Sequence, residues 1–382
     1  MSLLQLPPLG LYVHLPWCER KCPYCDFNSH EFTELPEQAY VDCLLADLER
    51  EIAFAQGRSI STLFIGGGTP SLFSAGAITR LLQGIAARLP LAAHMEATME
   101  ANPGSAEAGK FAAFRAAGIN RLSLGIQSFQ ATQLRILGRV HDSDQAHSAV
   151  TAARNAGFQR INLDLMHGLP QQDAALALAD LATAMEYDTG HLSWYQLTIE
   201  PNTVFHKRPP LLPVEDELAD IQDAGEAQLL AGGLRQYEVS AWAIPGQECR
   251  HNLNYWSFGD YLGIGAGAHG KVSFTDGRIM RYAKRRQPEA YMQAGADDYR
   301  AQQRWLQAEE LPGEFAMNAL RLNAGFTLEQ FSACTGLAAG ALQPALDSLV
   351  ERQLLVVSGN RLTASPLGRR FLDSVVAEFL PD

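Results

Sequence analysis

Three cysteines near the N-terminus have a spacing suited to iron–sulfur chemistry. Cys18, Cys22 and Cys25 form a C-x3-C-x2-C pattern, whereas the other cysteines of the chain are isolated. Three thiolates on one loop can bind three irons of a [4Fe–4S] cluster, and the fourth iron is then free to chelate a small molecule. The alternative is a zinc site with His14 or His30 as fourth ligand. Structural zinc favours paired C-x2-C motifs and four protein ligands, so the pattern favours the cluster.

A series of glycines and polar residues follows the cysteines, each at the end of a β-rich run. Glycines 66–68 follow the second run, and their bare backbone can approach a ligand closely. Glu100, Gln127 and Asp164 stand at the ends of the third, fourth and fifth runs, and Arg139 comes shortly after the fourth. Because the active groups of a barrel gather at the C-terminal ends of its strands, the series predicts one binding site.

The elements that must position these groups are alternating strands and helices over the first 235 residues. Strands are predicted at 11–14, 62–65, 97–99, 121–124, 161–165 and 192–197, and helices at 36–56, 74–88, 105–117, 129–137, 143–157, 173–187 and 215–232. Such alternation predicts a mostly parallel sheet with right-handed crossovers. Six units are too few for a closed eight-fold barrel, so we expect an α/β fold with a partial (β/α)6 barrel.

The alternation stops after residue 235, which divides the chain into three predicted domains. Residues 1–235 form the barrel with the cluster and ligand sites. Residues 236–305 form a small β-containing extension, with a hairpin at 272–280 that turns at Asp276 and Gly277. Residues 306–382 form a helical, winged-helix-like domain, with helices at 313–322, 327–335, 340–352 and 366–379 around two short strands. This domain carries no basic stripe, so we expect it to pack or to contact protein.

The composition limits the class of partner. The chain has 382 residues and a net charge of −12, which argues against a general nucleic-acid binder. No apolar run is long enough to span a bilayer, and the N-terminus lacks the basic and apolar regions of a signal peptide. These features predict a cytoplasmic protein without a transmembrane segment, whose contact with a membrane would be peripheral.

The cysteine motif, with Tyr24 before its last cysteine, resembles the signature of the radical S-adenosylmethionine (SAM) superfamily. This resemblance implies a [4Fe–4S] cluster whose open iron binds SAM, on a partial (β/α)6 barrel. It assigns the cluster to Cys18, Cys22 and Cys25. It assigns SAM binding to Tyr12, Tyr24, Gly67, Gly68, Thr69, Glu100, Gln127, Arg139 and Asp164.

A closer resemblance covers essentially the whole chain. The segments YxHxPWC, GGGTPS, EANPG, GIQSF, GRVH and NLDLMHGLP resemble the oxygen-independent coproporphyrinogen III dehydrogenase (oxidase) family. Two departures count against that activity. The family's motif continues to a fourth cysteine where this chain has Phe27, and only eleven residues precede Tyr12, whereas the dehydrogenases have a long N-terminal extension.

The pattern H-N-x-x-Y-W at residues 251–256 looks like the mark of the heme chaperone branch of that family. This resemblance assigns heme binding to His251, Asn252, Tyr255 and Trp256. An imidazole beside two aromatic rings offers an axial iron ligand and flat faces for a porphyrin. The alternative is that these side chains seal the junction between the barrel and the next domain, which their residue types alone would favour.

The first hypothesis is therefore a heme chaperone that delivers heme to respiratory-chain proteins, with the cluster and SAM regulating transfer or oligomeric state. The resemblance is compatible with a homodimer. The second is an oxidoreductase acting on coproporphyrinogen III or another tetrapyrrole, and the third is a radical SAM enzyme with an unrelated substrate. The sequence leaves the choice between SAM cleavage and SAM binding open. His191, His206 and His269 are unranked candidates for a second axial ligand.

Overall fold

The computed structural model describes residues 6–104, 108–295 and 298–381. All six predicted strands of the first 200 residues are present; four are three or four residues longer than predicted, the one predicted at 97–99 is eight residues longer, and the one predicted at 192–197 is shifted by one residue. In chain order the strands are β1 Leu9–Leu15, β2 Trp17–Cys18, β3 His30–Glu31, β4 Ile60–Gly67, β5 Leu91–Ala101, β6 Arg121–Gln127, β7 Arg160–His167, β8 His191–Gln196, β9 Arg235–Glu238, β10 Ala241–Ala243, β11 Asp260–Ile264, β12 His269–Ser273, β13 Ile279–Lys284, β14 Arg300–Trp305, β15 Phe326–Thr327, β16 Leu355–Ser358 and β17 Arg361–Ala364.

The α-helices of the first 305 residues cover the predicted amphipathic segments and add three short ones. They are α1 Glu37–Ala55, α2 Ala75–Ala86, α3 Phe111–Ala117, α4 Ala131–Ile136, α5 Ser143–Asn155, α6 Ala174–Glu186, α7 Val204–Lys207, α8 Glu215–Ala231, α9 Arg250–Trp256 and α10 Pro288–Met292. The first residues of the helix predicted at 105–117 lie outside the described residues. Asp142 begins α5 with a capping box, and Gly118 ends α3 in the left-handed conformation, at φ 118°.

The large sheet is built around six parallel strands in the order β1-β4-β5-β6-β7-β8, as the alternation predicts. Antiparallel strands β10 and β9 continue it beyond β8. Among the described strands, the two edges β9 and β14 do not pair with each other, so the sheet is open. The parallel strands direct their C-terminal ends, and the loops that follow, to one edge of the sheet.

The extension continues this sheet on its other side, beginning with an unpredicted strand. β11 pairs in parallel with β1, and β12, β13 and β14 follow in antiparallel order, including the predicted hairpin at 272–280. β11 was not predicted because residues 259–270 are rich in glycine and lack the run of β-branched residues that is typical of a strand. A Cβ at Gly263 would lie 1.8 Å from the His269 carbonyl oxygen, and one at Gly265 would lie 2.3 Å from that of His14. Glycine is required here because backbones approach closely.

Buried ion pairs fix the extension to the barrel. The ammonium of Lys284 on β13 contacts Asp47 and Glu51 on α1, the latter at 2.7 Å, and all three side chains are buried. The guanidinium of Arg300 reaches the same Glu51 carboxylate at 2.9 Å. Removing one partner of such a buried pair leaves an uncompensated charge, so these contacts hold the two parts in one arrangement.

The C-terminal unit packs around an apolar core that also includes Phe258 and Ile279 of the extension, and it has the predicted helix–strand order with one additional strand, β15. Its helices are α11 Leu311–Ala319, α12 Leu328–Thr335, α13 Ala345–Glu351, α14 Pro366–Arg370 and α15 Leu372–Ala377, around the small sheet β15-β17-β16. The helix predicted at 340–352 is shorter, because Pro344 interrupts it and a 3-10 turn precedes it. The helix predicted at 366–379 breaks at Phe371. Within the described ranges, every helix is too short or too polar to cross a membrane.

Candidate functional site

The three motif cysteines lie on a loop that a short parallel pair closes. β2 pairs with β3, so the loop leaves and returns beside the C-terminal end of β1. The backbone N–H of Cys25 donates to the Cys22 carbonyl at 3.1 Å, which turns the loop between these two cysteines. The Thr69 hydroxyl donates to the Cys18 sulfur and the Arg139 guanidinium to the Cys22 sulfur, both at 3.5 Å. Such donors stabilise thiolates, as an iron–sulfur site requires.

The donor geometry disfavours the zinc alternative. Within the described ranges, no three His, Cys, Asp or Glu side chains converge on one metal-ion position. A single zinc ion needs such convergence, whereas each cysteine of a four-iron cluster binds a different iron. Both ring nitrogens of His14 are engaged, Nε2 with the Asn28 carbonyl at 2.8 Å and Nδ1 with the Tyr12 hydroxyl at 3.0 Å. His30 shares a hydrogen bond of 3.3 Å with the Asn28 side chain.

A first cavity of about 740 Å³ opens at the C-terminal ends of the parallel strands. It brings together the cysteines and all but one of the residues assigned to SAM by resemblance. The lining includes Cys18, Cys22, Tyr24, Cys25, Gly67, Gly68, Thr69, Glu100, Gln127, Arg139 and Asp164. Tyr12 is the exception, because its side chain lines a second cavity.

The glycine turn after β4 forms one wall of the first cavity. Gly67 has a φ of 116°, a conformation that side chains rarely adopt. A Cβ at Gly68 would lie 2.4 Å from the Trp17 carbonyl oxygen, so this position also needs glycine. The N–H of Gly67 donates to the Glu100 carboxylate at 3.1 Å. The turn therefore presents bare backbone to the cavity and holds Glu100 against its wall.

The charged groups of the first cavity are two neighbouring carboxylates, Glu100 and Asp164, and the Arg139 guanidinium, which is held by neutral oxygens. Burial, together with the nearby Asp164, raises the pKa of Glu100 to about 7. Arg139 donates to the Asn102 side chain at 2.6 Å and to the Gly125 carbonyl at 2.8 Å. Among the described residues its buried Nε has no hydrogen-bond partner. Gln127 adopts a φ of 68°, and such strain in a non-glycine residue is typical of functional sites.

A second cavity of about 910 Å³ lies beside the first, and all four residues of the H-N-x-x-Y-W motif line it. The motif forms most of α9, which packs over β1 and β4. The remaining lining includes Tyr12, His14, Phe64, Tyr261, His269 and Arg286. Phe27, Gly67 and Glu100 line both cavities, so the two spaces share a wall.

His251 is held on α9 with one ring nitrogen engaged. Its Nδ1 shares a hydrogen bond of 3.0 Å with the Thr62 hydroxyl, and its ring lies 5.2 Å from the Phe64 ring. No described residue hydrogen-bonds its Nε2. Burial lowers the pKa of His251 to about 4, so the imidazole is neutral at pH 7, as a metal ligand must be.

The aromatic residues of the motif link the second cavity to the C-terminal unit. The Tyr255 and Trp256 rings meet edge to face at 4.6 Å. The Arg321 guanidinium lies over Trp256 at 4.3 Å, and the same arginine lines the first cavity. The motif thus does seal the domain junction, as the alternative interpretation holds, and lines a cavity as well. Arg321 stands outside every motif, so only the structure identifies it.

The structure separates the three candidates for a second axial ligand. His191 is buried with both nitrogens bonded, to Asn162 at 2.6 Å and to the Tyr237 hydroxyl at 3.0 Å. His206 lies on α7 and lines neither cavity. His269 lines the second cavity with His251. Of the three, only His269 shares a space with the motif.

Comparison with known proteins identifies the family of the chain. Residues 12–182 match the model of the radical SAM superfamily, and residues 306–371 match that of the HemN C-terminal domain. The heme chaperone HemW of Escherichia coli (strain K12) is 50% identical over 381 residues, covering 100% of both chains. The heme chaperone HemW of Haemophilus influenzae is 45% identical over 383 residues, covering 99% of each.

The fold also matches a solved structure. The radical SAM enzyme coproporphyrinogen III oxidase (HemN) from Escherichia coli superposes with a TM-score of 0.82, covering 98% of this chain and 90% of that one. At 22% identity this likeness shows the fold alone. It confirms the predicted α/β radical SAM architecture with a C-terminal domain.

Proposed function

Because the chain belongs to the HemW family of radical SAM proteins, we propose that it binds heme in the second cavity and delivers it to heme proteins of the respiratory chain. The observation that carries this proposal is the convergence of His251, Asn252, Tyr255 and Trp256 on one cavity. A cavity of about 910 Å³ is at the upper end of the range for sites that enclose small ligands.

The chemistry of His251 supports its role as an axial ligand. The Thr62 hydroxyl engages Nδ1 and orients the ring, as outer-shell partners of metal-binding histidines do. The neutral imidazole offers Nε2 to the heme iron without first losing a proton. Tyr255, Tyr261 and Phe64 supply aromatic faces for the porphyrin.

The first cavity fits a [4Fe–4S] cluster and SAM. When bound, these cofactors supply an electron and a sulfonium that the electron can cleave. Cys18, Cys22 and Cys25 hold the cluster, and Thr69 and Arg139 donate hydrogen bonds to two of the sulfurs. Glu100 and Asp164 offer carboxylates for the polar groups of SAM, and the glycine turn offers backbone groups. We assign this cavity a regulatory role in heme transfer.

The oxidoreductase alternative has less support. Phe27 stands where the dehydrogenases have their fourth cysteine. Its side chain is 63% exposed and lines both cavities, so it contributes apolar surface between them and no iron ligand.

A hemin titration under anaerobic conditions tests the proposal. The wild-type protein, with its cluster reconstituted, should bind about one hemin per chain with an absorption spectrum typical of an imidazole ligand. His251→Ala should lose that spectrum, whereas His94→Ala, which changes an exposed histidine outside both cavities, should keep it. Nonsaturable binding, or identical spectra in all three proteins, would contradict the proposal.

The partners follow from the same proposal. We infer that the acceptors are heme proteins of the respiratory chain, reached by peripheral contact with the membrane from the cytoplasm. We also propose, from the family resemblance alone, that the chain forms a homodimer.

A further inference from the structure

Heme presents two kinds of group to a binding site, the iron with its flat macrocycle and two propionate carboxylates at one edge. The motif residues account for the iron and the macrocycle only. A site that orients heme also needs cationic or hydrogen-bonding groups for the carboxylates.

The charged residues of the second cavity include one candidate for a cation in that role. Glu100 is an acid on the wall shared with the first cavity. Lys284 also lines the cavity, but its ammonium is buried against Asp47 and Glu51. Arg286 lines the cavity and is exposed to solvent. In the described part of the chain, the Arg286 guanidinium has no hydrogen bond, ion pair or ring contact.

We propose that Arg286 binds a propionate carboxylate of heme and so orients the porphyrin edge towards solvent while the iron faces His251. This inference rests on the proposed function, because it concerns how the same cavity holds the same ligand. A guanidinium is suited to the role, since its planar fork matches a carboxylate with two parallel hydrogen bonds.

The backbone of Arg286 is fixed although its side chain is free. Its carbonyl oxygen accepts a hydrogen bond of 2.9 Å from the Asn28 side chain, which also donates to the Ala266 carbonyl at 2.9 Å. Asn28 follows the three motif cysteines on the same loop, so this loop positions the backbone of Arg286. The guanidinium is therefore free to bind an anion at the solvent side of the cavity, while the backbone that carries it is fixed.

The neighbouring arginine provides a matched control. Arg285 carries the same charge one residue earlier, but its side chain donates to the Asp298 carbonyl at 3.2 Å and does not line the cavity. Arg285→Leu and Arg286→Leu thus remove the same charge and add the same side chain, but only Arg286→Leu removes a cavity contact, whereas Arg285→Leu removes the hydrogen bond to Asp298.

The test is titration of both variants and the wild type with hemin and with hemin dimethyl ester, in which the carboxylates are blocked. Arg286→Leu should weaken hemin binding by about two- to fivefold, the range for an exposed ion pair. Arg285→Leu should bind hemin like the wild type. The ester should bind the wild type and Arg286→Leu equally.

Unchanged hemin affinity in Arg286→Leu would overturn the inference and leave the heme site in place. An equal loss of affinity for hemin and its ester would also overturn it, because the effect would then not depend on a carboxylate. Absence of saturable, His251-dependent binding in the wild type would instead overturn the proposed function, and this inference with it.

Discussion

At the scale of the residue, ionising the Glu100 carboxyl group costs free energy, because this side chain lies in the wall between the two cavities. Its pKa is raised to about 7 from an ordinary 4.5, so the folded state holds an extra proton between these values. The free energy of unfolding therefore falls as pH rises from 4.5 to 7 and is not regained above 7. This cost is expected in the protein without cofactors, where no bound cation faces the carboxylate.

We predict that Glu100→Gln stabilises the cofactor-free protein at pH 8 by about 1–3 kcal/mol relative to the wild type, because the amide carries no charge to bury. The gain should shrink towards zero at pH 4.5. Denaturant unfolding of both proteins at the two pH values measures it. A gain that is the same at both values would show that the effect is one of packing and not of charge.

At the scale of the element, α8 packs closely against β8 because the residue of α8 that faces Trp194 is a glycine. A Cβ at Gly225 on α8 would lie 2.0 Å from the Trp194 ring, and both residues are buried. Strand β8 contributes Gln196 to the first cavity directly beyond this contact.

We predict that Gly225→Ala lowers the free energy of unfolding by about 1–3 kcal/mol, since the rigid indole must move to admit a methyl group. Gly76 on α2 is the control, because a Cβ there meets only the Ser74 oxygen at 3.9 Å. Gly76→Ala should leave stability unchanged or raise it by up to about 1 kcal/mol. Thermal or denaturant unfolding distinguishes them, and equal effects would contradict the packing argument.

The elements that could be predicted from the sequence are those whose pattern is local. The β-rich runs that alternate with amphipathic segments predicted the six parallel strands, and strand-end residues such as Glu100 and Asp164 predicted a shared cavity. β11 was missed because its close-packed backbones require glycine in place of β-branched residues. Arg321 and Arg286 were missed because a role that depends on a distant part of the chain leaves no local spacing to find.

At the scale of the whole molecule, the ion pairs that join the C-terminal unit to the rest of the described chain lie in different surroundings, as two of them show. Arg321 lies 3.6 Å from Glu238, whose carboxylate is buried and whose pKa burial raises. Arg370 on α14 lies 2.8 Å from Asp223 on α8, and both side chains are exposed.

We predict that Arg321→Ala lowers the free energy of unfolding by about 1–2 kcal/mol, because it leaves Glu238 buried without its partner and uncovers Trp256. Arg370→Ala should cost no more than about 0.5 kcal/mol, since exposed ion pairs contribute little. Denaturant unfolding followed by far-UV circular dichroism compares them. If Arg370→Ala lowers the free energy of unfolding as much as Arg321→Ala does, the argument that the buried ion pair contributes more would be wrong.

The wall that the two cavities share at Gly67 and Glu100 has a thermodynamic consequence. If occupation of one cavity shifts this wall, the ligand of the other is bound more or less tightly, and the coupling must be reciprocal. The factor by which SAM changes the dissociation constant of hemin must equal the factor by which hemin changes that of SAM. The SAM concentration in the cell would then change how readily the chain releases heme, although the two molecules would not touch each other.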